Sequence, residues 1–134
     1  MPSLNNFNYM NEAQIDNFLK VESQIQSTYK EISILSSKKP IDPVNKFKLK
    51  FINSIILEAN EVLGSGYMPF FEEFKIFDEE DLPNNGDIVF MLSHYLESLE
   101  KFRCDNIKIG HDFSYYWMMD GKLSDKKTKM PKKY

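Results

Sequence analysis

The sequence predicts a mainly α-helical protein: a single-domain bundle of three long helices with a short C-terminal aromatic hairpin or extended arm. A length of 134 residues suits one domain. With only 5 Gly and 6 Pro, the chain has few of the turns that a sandwich of short strands needs. Apolar residues recur at steps of three and four in three stretches, which is the pattern of helices with one buried face.

The first predicted helix covers about residues 11–36. Its apolar residues follow a near-heptad pattern at Ile15, Phe18, Ile25, Tyr29 and Ile32. Glu22 occupies a position where this pattern calls for an apolar residue. Because an unpaired buried carboxylate is costly, two interpretations stay open. Glu22 lies near the edge of the bundle or bonds a hydroxyl group, or it is a ligand or buried acid that faces another helix.

The second predicted helix begins at Pro43, with Asp42 as its N-cap, and runs to about Leu63. Gly64 follows, a residue type that often ends a helix because it adopts the left-handed conformation without strain. The apolar side of this helix consists of Phe47, Phe51, Ile52, Ile55, Ile56, Ala59, Val62 and Leu63.

The third predicted helix, residues 84–106, has a wide apolar stripe. The stripe includes Ile88, Leu92, Tyr95, Leu99 and Phe102. Asn84 or Asn85 caps the first turn, and Asp87 suits the positive end of the helix dipole. Because such a face must be buried, we expect the other two helices to pack around this one.

Between the second and third helices lies the acidic–aromatic segment, residues 70–81. Phe70, Phe74 and Phe77 are spaced to line one side of a short helix. The segment either completes the core as a connecting turn of helix or forms an exposed docking strip for a basic partner. Aromatic anchors within a charged rim are common at protein interfaces. The candidate partner-contacting residues here are Phe70, Phe71, Glu72, Glu73, Phe74, Asp78, Glu79, Glu80 and Asp81.

The pattern changes beyond the third helix. The pair Asp120-Gly121 separates an aromatic arm from a short polar arm, which indicates a hairpin. Tyr115, Tyr116 and Trp117 of the aromatic arm are further candidates for partner contact.

The chain divides into residues 1–123, the helical domain with its arm, and residues 124–134, a lysine-rich tail that we expect to be mobile. Nucleic-acid binding through this tail is one alternative function, with the aromatic arm as a stacking surface. The lysines available for it are Lys122, Lys126, Lys127, Lys129, Lys132 and Lys133. Such binding would be weak and salt-sensitive, and the acidic middle of the chain would repel phosphates. We therefore do not expect nucleic acid to be the partner.

A helical-bundle enzyme or metalloprotein is the other alternative. His94 and Glu97 lie one helical turn apart, a spacing found in metal-binding bundles, and Glu58 and Glu61 are possible further ligands. His94 and Glu97 lie off the apolar stripe, however, so we expect both at the surface. The chain lacks a Gly-rich phosphate loop, a CxxC pair and a G-x-S-x-G motif. We therefore expect no catalytic residue, no metal and no cofactor.

Composition also bears on location. The chain has no run of about 18 apolar residues, so we expect no membrane span. Cys104 is the only cysteine and cannot form an intrachain disulfide, which favours a cytoplasmic setting. Arg103 is the only arginine among 17 Lys and Arg residues, a bias typical of an AT-rich bacterial or phage genome.

The acidic–aromatic segment and the missing catalytic motifs together predict a small non-enzymatic protein that binds another protein, one with a basic surface. An immunity protein, an antitoxin or an inhibitor of a protein target fits this description. The oligomeric state is left open by the sequence.

Overall fold

The structure, a computed structural model, describes residues 10–70 and 74–132. It contains three helices, α1 (Glu12–Lys38), α2 (Lys46–Leu63) and α3 (Asn85–Asp105), with a 3-10 turn at Glu79–Asp81 before α3. Three short antiparallel strands follow in the order β1-β2-β3, namely β1 (Ile107–Ile109), β2 (Tyr115–Met119) and β3 (Lys122–Thr128). The prediction of a mainly helical protein with a C-terminal hairpin is confirmed, and β1 adds a third strand to that hairpin.

Capping residues set most of the helix ends. Asn11 and Asn84 each form a capping box, the first with Gln14 and the second with Asp87. In each box the cap side chain accepts a hydrogen bond from a free backbone N–H, and the partner side chain accepts one in return. Gly64, at φ 68°, follows the last residue of α2. The predicted cap of α3 and the predicted end of α2 are therefore confirmed.

Helix α2 begins later than predicted. Its N-cap is Asn45, whose Oδ1 accepts a hydrogen bond of 2.8 Å from the Lys48 N–H. The chain just before it pairs instead with the chain before α3, where the Val44 N–H donates to the Pro83 carbonyl at 2.9 Å. Because this backbone is used for pairing across the molecule, the helix does not start at Pro43.

Helix α1 is the central helix. It contacts both α2 and α3, and each of these contacts is more extensive than the one between α2 and α3. The expectation that α3 is central is wrong. Residues of the connection between α2 and α3, among them Met68, Phe74 and Phe77, pack against the core and replace part of a direct α2–α3 contact. Among the helices in the described ranges, none is long and apolar enough to cross a bilayer.

The Asp120-Gly121 pair forms the predicted turn between β2 and β3. Both residues have positive φ angles, 51° and 78°, as the tightest hairpin turns require. Strand β1 was not predicted, since its short length of 3 residues gives no usable periodicity. It pairs with β2 so that Ile107 lies opposite Trp117, and both side chains are buried.

Arg103, a fully buried residue, holds the end of β3 and the residues after it to α3. The guanidinium donates hydrogen bonds to Thr128 Oγ1 at 2.9 Å, to the Lys129 carbonyl at 2.6 Å and to the Met130 carbonyl at 3.1 Å. Residues 124–132 are therefore part of the folded protein rather than the mobile tail that we expected, and the boundary drawn before them falls inside β3.

Candidate functional site

Two asparagines of α2 hold the backbone of the acidic–aromatic segment. The Asn53 amide donates to the Phe77 carbonyl at 2.9 Å and accepts from the Phe77 N–H at 2.8 Å, so it satisfies both backbone polar groups of one residue. About two helical turns later, Asn60 donates to the Lys75 carbonyl at 2.9 Å. The described part of the segment is therefore fixed to α2 by side chains.

Asn60 also connects α2 to α3. Its Oδ1 accepts a hydrogen bond of 2.6 Å from the hydroxyl of Tyr95, a fully buried residue. Burial raises the pKa of Tyr95 to about 12. The hydroxyl is therefore protonated at neutral pH and continues to donate. Asn53 and Asn60 were not identified from the sequence. The available signal was two amide side chains two turns apart on α2, each directly after a buried apolar residue, Ile52 and Ala59.

Aromatic rings of this segment and of α3 form a continuous row of edge-to-face contacts, which we call the aromatic row. The centroid distances are 5.0 Å from Phe77 to Phe74 and 6.0 Å from Phe74 to Phe70. The row continues onto α3 with 5.3 Å from Phe70 to His94 and 4.8 Å from His94 to Phe90. Phe90 is 57% exposed, whereas the other four residues are half-buried.

The short helix predicted for the phenylalanines is absent from the described part of the segment. Residues 74–78 are irregular, because Asn53 and Asn60 take up backbone groups that a helix would use. Phe74 and Phe77 pack partly against the core and also keep part of their surface exposed. The segment thus combines the two roles that the sequence left as alternatives, core completion and surface display. Phe71, Glu72 and Glu73 lie outside the described residues.

The acidic run, residues 78–81, is exposed beside the aromatic row. Asp78 caps the 3-10 turn, and its Oδ1 accepts a hydrogen bond of 2.9 Å from the Glu80 N–H. Apolar side chains lie on either side of the run, with Ile76 41% and Leu82 58% exposed. The run therefore forms a charged rim beside apolar surface.

The aromatic arm does not form a comparable surface. Trp117 is only 1% exposed, and its ring meets the Phe18 ring edge-on with centroids 5.2 Å apart, so it is a core residue and not the partner-contacting residue that we expected. Tyr115 also packs partly against the core. The Tyr116 hydroxyl donates to Asp112 at 2.5 Å, a bond that lowers the pKa of Asp112 and raises that of Tyr116. The sequence alone did not show that Trp117 faces inward. Its position followed only from the register in which β2 pairs with β1.

The residues considered for a metal site are not brought together. His94 belongs to the aromatic row, while Glu58, Glu61 and Glu97 are exposed. Within residues 10–70 and 74–132, no three His, Cys, Asp or Glu side chains form a group suited to a metal ion.

Glu22 is half-buried and faces charged groups of α3 and the C-terminal segment. Burial raises its pKa most strongly, nearby Glu100 adds to the effect, and the positive charges of Lys129 and Arg103 oppose it. Of the two interpretations of Glu22, its position fits that of an acid facing another helix. The Cys104 thiol lies 3.4 Å from Glu100 Oε2. Burial and this hydrogen bond raise the pKa of Cys104, so the thiol stays protonated and is a poor nucleophile.

Two of the lysines considered for nucleic-acid binding are paired with acids of the same chain. Lys126 Nζ lies 3.6 Å from Glu12 and 3.4 Å from Asp16. Lys127 Nζ lies 4.0 Å from Asp112. These neighbouring carboxylates reduce the positive potential that a phosphate backbone would meet.

The chain was compared with protein-family models, with curated proteins and with solved structures, and none of the three comparisons gave a match.

Proposed function

We propose that this protein is a non-enzymatic binding module that docks a partner protein on the aromatic row and the acidic run beside it. The observation that carries the proposal is the row itself, a set of touching rings that stays partly exposed from Phe77 to Phe90. Aromatic residues at the centre and charges at the rim are the usual composition of an interface.

The way in which the segment is held supports the same function. A loop that must order itself on binding loses conformational entropy, which weakens the complex. Here Asn53 and Asn60 already fix the backbone at Phe77 and Lys75 in the free protein. The partner is accordingly a protein with an apolar pocket bordered by basic residues. An immunity protein, an antitoxin or an inhibitor in the cytoplasm of a bacterium, or encoded by a phage, is the class that we favour.

The charge contribution is tested by neutralising the acidic run. The test variant carries Asp78→Asn, Glu79→Gln, Glu80→Gln and Asp81→Asn, which preserve shape and leave an asparagine able to cap the 3-10 turn. The control variant changes the net charge equally at exposed acids elsewhere, with Glu31→Gln, Glu58→Gln, Asp120→Asn and Asp125→Asn. Asparagine also suits the positive φ of position 120 in the hairpin turn. In affinity capture from the native host, we expect the test variant to lose the partner that the wild type and the control retain.

The aromatic contribution is tested with Phe90→Ala. Phe47→Ala is the matched control, because Phe47 is also an exposed helical phenylalanine, 72% exposed, and lies outside the aromatic row. We expect Phe90→Ala to reduce capture while the thermal midpoint stays near that of the control. Equal capture by both variants would contradict the proposed surface.

A further inference from the structure

The solvent-facing side of α2 is partly apolar. Phe47, Phe51 and Leu57 are 72%, 53% and 52% exposed, and the rings of Phe47 and Phe51 meet edge-on with centroids 5.0 Å apart. The exposed Ser54 lies between Phe51 and Leu57. Positions three and four residues apart share one side of a helix, and exposed charged residues continue the same side. This surface, which we call the α2 face, consists of Phe47, Lys50, Phe51, Ser54, Leu57 and Glu61.

The charged residues of α2 are segregated by sign. Its lysines, Lys46, Lys48 and Lys50, lie in the first half of the helix, and its glutamates, Glu58 and Glu61, lie in the second half. The helix dipole disfavours this arrangement, because the N-terminal end carries partial positive charge and the C-terminal end carries partial negative charge. By contrast, α1 and α3 each have an acidic residue in the first turn and a basic residue in the last turn. A neighbouring helix running in the opposite direction would offset the unfavourable charges of α2.

A second copy of α2 has the charges that such a neighbour needs. Within residues 10–70 and 74–132, neither Lys50 nor Glu61 forms an ion pair. The two residues are eleven positions, about three helical turns, apart and so lie along the same edge of the α2 face. If two α2 helices pack antiparallel about a two-fold axis between Ser54 and Leu57, Lys50 of each copy lies opposite Glu61 of the other.

We propose that this protein forms a weak antiparallel homodimer through the α2 face. The two Leu57 side chains meet beside the two-fold axis, and the small side chain of Ser54 lets the helices approach closely. The two Lys50–Glu61 pairs lie on either side of this apolar centre, whereas Phe47 falls at the margin. Each surface meets a copy of itself, as a two-fold interface requires.

The expected affinity follows from the size of this contact. One helix face per subunit offers less than the roughly 800 Å² that each partner buries in a stable interface, so association is weak. The α2 face shares no residue with the aromatic row or the acidic run. The dimer therefore does not depend on the proposed protein partner, and a variant that loses the dimer is expected to keep that partner.

Sedimentation equilibrium of the full chain, from about 20 μM to about 1 mM, tests for the dimer. We expect the average mass to rise with concentration from that of one chain toward that of two. Leu57→Gln removes the apolar centre but retains a good helix former, and is expected to weaken association about ten-fold or more. Ile34→Gln is the matched control, since Ile34 is 54% exposed on α1, and is expected to change nothing. A wild type that stays monomeric throughout this range, or equal effects of the two variants, would overturn the proposal.

Exchange of charges tests the antiparallel arrangement itself. Lys50→Glu and Glu61→Lys each turn both ion pairs of the dimer into like-charge contacts, so each variant alone is expected to associate about five- to thirty-fold more weakly than the wild type. In an equimolar mixture of the two variants, both pairs of the mixed dimer again join opposite charges, and we expect association to return to near the wild-type level. Lys30→Glu, the same change at an exposed position on α1, is the control and is expected to associate like the wild type. A mixture that associates no better than its components would show that α2 does not pair in this way.

Discussion

Arg103 and Glu100 form a doubly hydrogen-bonded ion pair inside the protein, with Nε 2.9 Å from Oε1 and Nη2 2.7 Å from Oε2. Their side chains are 1% and 7% exposed. Glu100 Oε2 also accepts a bond of 2.9 Å from the Lys132 N–H, so the pair joins α3 to the end of the chain. Burial by itself raises the pKa of Glu100, but the bonds from Arg103 and Lys132 outweigh it and hold the pKa below its usual value.

Replacing Arg103 with methionine is expected to lower the free energy of unfolding by about 3–5 kcal/mol, because it leaves the Glu100 charge buried and unpaired. Urea denaturation measures the loss. Lys101→Met, at an exposed position on the same helix, is the control and is expected to change stability by no more than about 0.5 kcal/mol. Similar losses in the two variants would show that the ion pair is not needed to hold the C-terminal segment.

Replacing Glu22 with glutamine is expected to stabilise the protein at neutral pH. The folded-state pKa of Glu22 lies above its ordinary value of 4.5, chiefly because of burial. The folded protein therefore holds this proton more tightly than the unfolded chain does, and the stability from Glu22 is lost as pH rises through the folded pKa. Glutamine resembles the protonated acid. The gain in stability from Glu22→Gln is therefore absent below pH 4.5, develops as the pH rises through the folded-state pKa and is complete above it.

Thermal midpoints of Glu22→Gln and wild type, measured from acidic to neutral pH, test this dependence. Glu31→Gln, at an exposed position on the same helix, is the control and is expected to give no such trend. A Glu22→Gln gain of equal size at all pH values would rule out burial of the charge as its cause.

Replacing Asn53 with alanine is expected to release the acidic–aromatic segment locally. Two hydrogen bonds to Phe77 are lost and its backbone groups lose their partner, at a cost of about 1–3 kcal/mol. Hydrogen exchange of the Phe77 amide should accelerate, whereas Ser54→Ala, at the exposed position next to it, should leave the exchange rate unchanged. Retained protection of Phe77 in Asn53→Ala would mean that other contacts fix the segment.

The fluorescence of Trp117 gives a direct test of its burial. It is the only tryptophan in the chain and is 1% exposed. We expect emission at short wavelength, weak quenching by acrylamide in the native state, and a shift to longer wavelength with strong quenching on unfolding. Strong quenching of the native protein would return Trp117 to the surface, where we expected it from the sequence.

Periodicity was enough to predict the helices, because an apolar stripe must be buried whatever its partner is. Local chemistry was enough for Asn84, Gly64 and the Asp120-Gly121 turn, where a side chain or a positive φ acts within a few residues. The predicted start of α2 at Pro43 shows the limit of such local prediction. The true start depends on pairing with a segment far along the chain. Non-local contacts of this kind leave no periodic signal.

The candidate site shows the same limit. The phenylalanine spacing suggested a helix, but Asn53 and Asn60 bind that backbone from another element. The spacing of His94 to Glu97 made it a candidate metal ligand in the alternative interpretation, whereas its neighbours are the Phe70 and Phe90 rings. Spacing along one helix shows which side chains share a face and does not show what that face meets.

Strand β3 has its own consequence for solubility. Within the described residues it is an outer strand of the sheet, and Lys122 and Lys127 are exposed along it. A free strand edge is a template for adding strands from other molecules, and lysine charges on that edge oppose such growth. The lysines of this region therefore act against fibril-like stacking of the protein. This role explains their number without nucleic-acid binding.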